Sequence, residues 1–576
     1  MLAVALVNRG GAAQELSLLR SLLRVCSMDD LISPRAERIL LALLLVLTGW
    51  ALLPSLDGDF VADDYVFLVT SRMVDAPLTA FWRWHFYEPV YFRPVGLVVW
   101  WVTGRLFGLD YPWHAAFNAA LHMGNVALLW MLLRAHLPGL WSRVVAVGWF
   151  ALGPLSLGAV LWLSDRFDLL ALAGLLVALL AASSRNRVVG GGIVFLASLA
   201  ACWSKEWALC GCVAAALMMC VSSWRKSSRS GLWIGGAMLL AALLAGTVAC
   251  VLRASVLDGA PAVVMSGFIR GSRMGDGLFA WFVGGWRIFL AVGAGWSVVA
   301  FGVVLGGAVV DLLGRHPQIS RFDSGRRSRA YVAGAALVMF LALLAPQIVT
   351  VSGYLGLIDS GAFGVATTAR FYYGSMAAFS GLVAALLSCE RVAKVSSCVG
   401  VAVGLICVLA NAGTSHQLAV DFSRWTKAEI APIGAAATDV VEAVVSERGG
   451  PCVVVLLGTQ VRSPYFRMFS DSTVKARTTA PERVWRCHVL TESTPWLFAF
   501  PALIEPLLLP LRPAPFIGAA PKPDSVWDSI RYRYRLPAPD MMALPDARYF
   551  DWRDGRFVEV TSAVRSGELR VGWSDW

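Results

Sequence analysis

Apolar runs close to the length of a bilayer crossing recur along this chain, and no other feature constrains its fold as tightly. An α-helix rises 1.5 Å per residue, so a run of about 20 residues covers the ~30 Å hydrocarbon core. Such runs fall at 39–56, 114–133, 144–162, 168–183, 188–203, 207–223, 232–251, 288–313, 330–351, 371–388 and 398–414. With 57% of residues hydrophobic and only 15% charged, the chain cannot supply the polar skin that a soluble globule needs. The expectation is a polytopic α-helical membrane protein with about 11 transmembrane helices and a C-terminal soluble α/β domain. The apolar stretch 91–108 is opened by Arg93-Pro94 and interrupted by Arg105. It is therefore assigned to a helix lying along the membrane inside the first outer loop, 57–113.

Charge sets the orientation. With residues 1–38 in the cytoplasm, the inside loops hold 19 Lys and Arg against 10 in the longer outside loops, as the excess of positive charge on cytoplasmic loops requires. The clusters at 224–229 and 326–329 both fall inside. The net charge of +11 is thus orientation charge in short loops and does not point to nucleic acid. Met1–Val7 is too short for the apolar core of a cleavable signal peptide, and Gln14–Val25 has the pattern of a basic amphipathic surface helix. An odd number of spans places residues 415–576 outside. There Pro451–Gly458 reads as a buried strand, and Tyr549–Val560 reads as a hairpin turning at Asp554-Gly555. Of 11 cysteines, only Cys452 and Cys487 fall in that outer domain, where disulfides are permitted, so a Cys452–Cys487 bridge is expected.

Several polar turns fall on the same outer side. Asp63 and Asp64 follow the first span; an Asp there caps a helix, but capping accounts for one carboxylate and not two, and a carboxylate at a membrane edge also suits a general base. His114, Asn118, His122 and Asn125 share a stripe about 80° wide on one helix. Such a stripe usually makes interhelical hydrogen bonds; His114 and His122, nearer the outer end, are kept as site lining. Ser164-Asp165-Arg166-Phe167-Asp168 and Ser204-Lys205-Glu206 form two short turns. Their charges read either as structural ion pairs, Lys205 with Glu206 or Asp165, or as a phosphate cradle of Arg166 and Lys205. Arg370 and Tyr372 open another helix as interface anchors or as a phosphate clamp. No zinc set and no Asp-x-Asp metal site stands out, so no cofactor is expected, and a divalent cation is left open but not indicated.

Taken in order, these pieces resemble the GT-C class of membrane glycosyltransferases. The likeness is strongest to the O-mannosyltransferases that carry tetratricopeptide repeats and to their bacterial relatives. It rests on Asp63-Asp64-Tyr65, Tyr91-Phe92-Arg93-Pro94-Val95, Phe107–His114 with Asn118, His122 and Asn125, Arg166-Phe167-Asp168, Ser204-Lys205-Glu206-Trp207 and Arg370-Phe371-Tyr372-Tyr373. The chain departs from the family at Asp165 (Gly there), at Ala369 and Phe371 (Glu and Tyr there), and in lacking the repeats. The resemblance implies inverting transfer of a hexose from a polyprenyl-phosphate donor to a hydroxyl of a glycan, lipid or protein acceptor. It sets the reaction at the extracytoplasmic face of a bacterial inner membrane. Asp63 or Asp64 would be the base, with Arg93, His114, His122, Arg166, Asp168, Lys205, Glu206, Arg370 and Tyr372 binding substrate. Two rivals are a transporter or flippase of lipid-linked envelope precursors and a noncatalytic envelope assembly protein. A transporter would place its charges at the membrane midplane and show internal repeats.

Overall fold

Helix starts follow local chemistry. The side chain of Ser33 accepts the Ala36 amide at 3.3 Å and Pro34 fills the first helical position, opening α1 (Pro34–Leu52). In this computed structural model the described residues are 33–61, 63–73, 76–81, 92–137, 139–184, 186–225, 229–257, 274–300, 302, 333–344, 358, 362–387, 394–448, 452–457, 473–478, 487–491 and 547–569. The expected surface helix at 14–25 and the basic cluster at 326–329 lie outside them.

After α1 come α2 (Asp64–Met73), α3 (Pro94–Phe107), α4 (Tyr111–His136), α5 (Leu140–Leu152) and α6 (Pro154–Leu161). The α5–α6 pair bends by 44° at Gly153-Pro154, where proline has no amide to continue the ladder. Next are α7 (Arg166–Ala181), α8 (Arg187–Cys202), α9 (Trp207–Arg225), α10 (Arg229–Leu257), α11 (Met274–Ala291), α12 (Ala362–Ala369) and α13 (Tyr373–Leu387). Then α14 (Lys394–Trp425) runs through a π turn (Thr426–Ile430) into α15 (Ala431–Arg448).

The protein is a helical membrane protein, but the expected count of 11 spans is corrected. Among the described residues four helices are long and apolar enough to cross: Pro34–Asp57, Tyr111–His136, Gly231–Val251 and Gly400–Glu447; the bent α5–α6 pair makes five. The reason is length. The apolar runs at 168–183 and 188–203 form helices of 16 residues each, about 24 Å, short of the hydrocarbon thickness. The run at 91–108 gives a helix of 14 residues, and the runs at 288–313 and 330–351 lie partly outside the described residues. The boundary expected at 415 also falls inside one continuous helix, which reaches Arg448 before the chain changes character.

Beyond that helix lies a small sheet of β1 (Cys452–Leu457), β2 (Cys487–Thr491), β3 (Arg548–Arg553) and β4 (Arg556–Glu559). The strand order is β2-β1-β3-β4, with β1 parallel to β2 and β3, and β4 antiparallel to β3. Asp554 and Gly555 turn the β3–β4 hairpin with φ of 49° and 79°, the left-handed pair that a tight two-residue turn demands. Cys452 lies opposite Cys487, and the two form a disulfide with Cα atoms 4.4 Å apart. Ile433, Val441 and Val444 of α15 pack on Val454, Val489 and Phe550, a core separate from that of the helical bundle.

Ion pairs mark the two ends of the bundle. Glu37, at the start of α1, pairs with Arg134 at 3.2 Å and with Arg143, joining two segments that the charge count puts in the cytoplasm. The turns expected outside meet one another at the other end, as follows.

Candidate active site

Asp63 and Asp64 have different surroundings. Asp64 is buried, with Oδ1 accepting the Ser164 amide at 2.7 Å and Oδ2 accepting the Val61 amide at 3.0 Å. It stitches the first loop to the turn before α7. Burial pushes its carboxyl well above the ordinary range and Asp63 alongside adds to this, against the pull of the two amides and Arg166. Asp63 is half-buried, and its Oδ1 accepts the indole N–H of Trp162 at 2.7 Å. Asp63 therefore has the exposure that an incoming hydroxyl needs, and Asp64 does not.

The same Trp162 ring carries the Arg370 guanidinium on its face, 4.6 Å from the centroid. Arg370 Nε lies 3.6 Å from Asp165 Oδ2. Lys205 Nζ is held at 2.8 Å by Asp168 and only at 3.7 Å by Asp165. Asp168 also accepts the Trp207 indole N–H at 2.6 Å. Asp63, Trp162, Arg370, Asp165, Lys205, Asp168 and Trp207 thus form one connected cluster drawn from four turns. Asp165 is its loosely held member. Burial raises the Asp165 carboxyl to about 7, opposed by Arg370 and Lys205 and reinforced by Asp168 and Asp63. Gly158 sets the position of Arg370, because a Cβ there would lie 2.4 Å from the Arg370 amide nitrogen and 2.5 Å from the Ala366 carbonyl. Only glycine lets α6 approach that backbone so closely.

Other expected residues take different places. Arg93 and Glu206 form a two-pronged pair with each other, at 2.8 and 2.7 Å, across the rim. Arg166 is fully buried under the cluster, 3.6 Å over the Trp100 ring, donating to Thr103 Oγ1 at 2.5 Å. His114 bridges Arg166 at 3.3 Å and the Gly108 carbonyl at 3.1 Å, also buried. His122 is deeper, with one ring nitrogen on Tyr373 Oη at 2.8 Å and the other on the Ala151 carbonyl at 3.0 Å, so protein partners occupy both. Asn118 and Asn125 bond the carbonyls of Leu163 and Leu169. The polar stripe of α4 is thus an interhelical seam, and His122 does not line the cluster. Tyr372 is likewise buried, packed against Gly285 of α11.

Asp59, Trp162 and Arg477 were not anticipated, and Trp207 only as part of the Ser204-Lys205-Glu206-Trp207 piece. The two tryptophans stand next to polar turns, but among 24 Trp that adjacency is not distinctive. An apolar cavity of about 480 Å³ opens between the helices, lined by Leu172, Met218, Leu343 and Gly374 and extending to His136 and Ser183. Its lining includes Gly374, where a Cβ would be 3.0 Å from the Trp207 ring. Among the described residues, no group of three or more His, Cys, Asp or Glu is arranged to hold a metal ion.

Fold and site together define a polytopic helical membrane protein with a buried, mixed-charge cluster at one end of its bundle. No family model matches the chain, and no curated protein does either. Among solved structures it is similar to an Archaeoglobus fulgidus oligosaccharyltransferase tethered to an acceptor peptide, at 12% identity and a TM-score of 0.38. That comparison covers 77% of this chain and 63% of the other. It is also similar to archaeal oligosaccharyltransferase AglB from the same organism in complex with an inhibitory peptide and a dolichol-phosphate. There the identity is 11% and the TM-score 0.38, over 76% of this chain and 63% of that one. The chain therefore spans less than two thirds of those structures. Likeness of that order carries no functional argument.

Proposed function

We propose that this protein is an inverting GT-C-type glycosyltransferase that takes a hexose from a polyprenyl-phosphate donor at the extracytoplasmic face of a bacterial inner membrane. The observation that carries the reading is the convergence of Asp63 with Lys205 and Arg370 in one cluster, through Trp162, Asp165 and Asp168. Asp63 takes the proton of an acceptor hydroxyl. The oxygen attacks the anomeric carbon from the face opposite the phosphate, the C–O bond to the phosphate breaks, and its electron pair leaves on the phosphate oxygen. The lipid phosphate then carries the negative charge that Lys205 and Arg370 stabilise. Both cations already face Asp165, at 3.7 and 3.6 Å. The phosphate therefore replaces Asp165, which takes up a proton as its contacts are taken. The apolar cavity beside Gly374 suits part of a long lipid chain, and residues 415–576 belong to the extracytoplasmic side. The acceptor is a glycan, lipid or protein hydroxyl, and no metal is required in this scheme.

The test is turnover by the full-length protein in nanodiscs, supplied in turn with decaprenyl-phosphate mannose, glucose and galactose and with membrane extract as acceptor. Release of decaprenyl phosphate that Asp63→Asn lowers by about 10²–10⁴-fold supports the reading. Release by Asp63→Asn at the wild-type rate contradicts it.

A further inference from the structure

The stretch that carries Asp63 is clamped from the far end of the chain. Arg477 Nη2 donates to Asp59 Oδ2 at 2.6 Å and to Tyr65 Oη at 2.7 Å, and its Nε donates to Tyr65 Oη at 3.0 Å. The guanidinium also lies 5.4 Å from the Tyr65 ring centroid. Tyr65 is 1% exposed and follows Asp64 directly, so the clamp spans both sides of Asp63. Asp59 Oδ1 meanwhile accepts the Phe60 amide at 2.7 Å, and the Asp59 amide donates to Thr426 Oγ1 at 3.0 Å in the π turn. Lys427 of that turn pairs with Asp57.

Arg477 ends a single helical turn, 473–477, that bridges the two cores. Val474 belongs to the core of the sheet and Ala476 to that of the bundle. Thr478 Oγ1 donates to Glu442 Oε1 of α15 at 2.6 Å. At Gly434 of α15, a Cβ would sit 3.2 Å from Arg477 Nε, so the helix closes on the guanidinium as tightly as glycine allows. The turn also lies within the segment closed by the Cys452–Cys487 bridge. A cation with two partners, reached across more than 400 residues of sequence, has the geometry of a brace.

We infer that Arg477 is a positioning residue for Asp63: through Asp59 and Tyr65 it fixes the 59–65 stretch. The sheet-bearing part of the chain is then a working piece of the active site. This inference rests on the assignment of Asp63 as the base. Loss of the guanidinium leaves the Asp59 carboxylate without its cation and the Tyr65 hydroxyl without two donors. The stretch then relaxes, and Asp63 leaves the geometry in which Trp162 and the substrate hydroxyl meet it.

Two measurements on the full-length protein in nanodiscs test this. Hydrogen exchange at the amides of Val61, Asp64 and Phe67, all hydrogen-bonded within the stretch, is expected to rise about tenfold or more in Arg477→Gln and to be partly restored in Arg477→Lys, as local opening frees those amides. Unchanged exchange overturns the brace. Turnover of decaprenyl-phosphate mannose is expected to lose about 100-fold in kcat in Arg477→Gln, the order that a misplacement of about 1 Å costs, with donor KM unchanged. In an Asp63→Asn background Arg477→Gln is expected to cause no further loss, because both act on one proton transfer. A change confined to donor KM, or full additivity with Asp63→Asn, overturns the positioning role. Full activity in Asp63→Asn would instead sink the base assignment, whereas full activity in Arg477→Gln beside an inactive Asp63→Asn sinks only this inference. If the wild-type protein is inert toward this donor, the exchange result decides the brace by itself.

Discussion

Donor binding should weaken as pH rises through about 7, and Asp165 should be the cause. Its carboxyl is raised to about 7, by burial first, with Arg370, Lys205, Asp168 and Asp63 the charged groups around it. The sign follows from competition for the cations. The ionised carboxylate opposes an incoming phosphate, and the protonated acid does not. If the donor binds only when Asp165 is protonated, the apparent affinity follows the protonated fraction. Binding is then flat well below pH 7 and falls tenfold per unit above it, so it is about tenfold weaker at pH 8 than at pH 6. The donor is a phosphodiester whose single charge does not titrate in this range, so it adds no slope of its own. Asp165→Asn should abolish the slope and keep at pH 8 the affinity that the wild type has at pH 6. The assay is quenching of tryptophan fluorescence by decaprenyl-phosphate mannose in nanodiscs between pH 5.5 and 8.5. The same raised carboxyl predicts conformational stability that falls as pH rises from about 4 to about 7 and levels off above, because charging Asp165 is harder in the folded protein than in the unfolded chain. A flat affinity profile in the wild type, or an unchanged slope in Asp165→Asn, refutes the reasoning.

Asp64→Asn should act on stability. An amide that replaces the carboxylate offers one oxygen where the Ser164 and Val61 amides now find two, and a buried orphan donor costs about 1–3 kcal/mol. Denaturant unfolding in detergent checks this, and a loss of activity at full stability would give Asp64 a chemical role instead. Gly158→Ala should move Arg370, because the new Cβ meets backbone at 2.4 Å that cannot swing aside. The expected outcome is a destabilised protein with raised donor KM, and wild-type kinetics would show the approach to be looser than described. Replacing Cys452 and Cys487 together by Ser should lower stability by about 4 kcal/mol in the chain-entropy account of a loop of this length. An unchanged melting temperature would show that the sheet holds itself.

The charged turns that meet in the cluster were legible because their residues are chemically unusual for their places. Charges in very short turns between apolar runs are expensive, so Lys205 and Arg370 announce themselves, whereas Asp165 read only as an ion-pair partner of Lys205. The hairpin at Asp554-Gly555 was legible from turn chemistry, and the Cys452–Cys487 bridge from compartment and elimination. The span count was not legible, because hydropathy reports what a segment avoids and not its length as a helix. The 16-residue α7 and α8 are as apolar as longer spans. The end of the last helix was missed because polar residues after 414 continue the helix without its apolar character. That His122 and Tyr372 are buried away from the cluster was not legible for a related reason. Period and depth put a side chain on a face but do not show whether a partner such as Tyr373 already faces it. Arg477 could not be seen at all, since nothing in its neighbourhood distinguishes a cation that reaches back to Asp59.

The most direct test of the central claim is mass spectrometry of lipid-linked sugars and envelope glycans in a deletion strain, complemented by the wild type or by Asp63→Asn. The account predicts that deletion accumulates one polyprenyl-phosphate sugar and loses one glycan modification. The wild type should reverse both, and Asp63→Asn, inserted at the wild-type level, should reverse neither. Restoration of the glycan by Asp63→Asn, or a deletion strain in which neither pool changes, would contradict it.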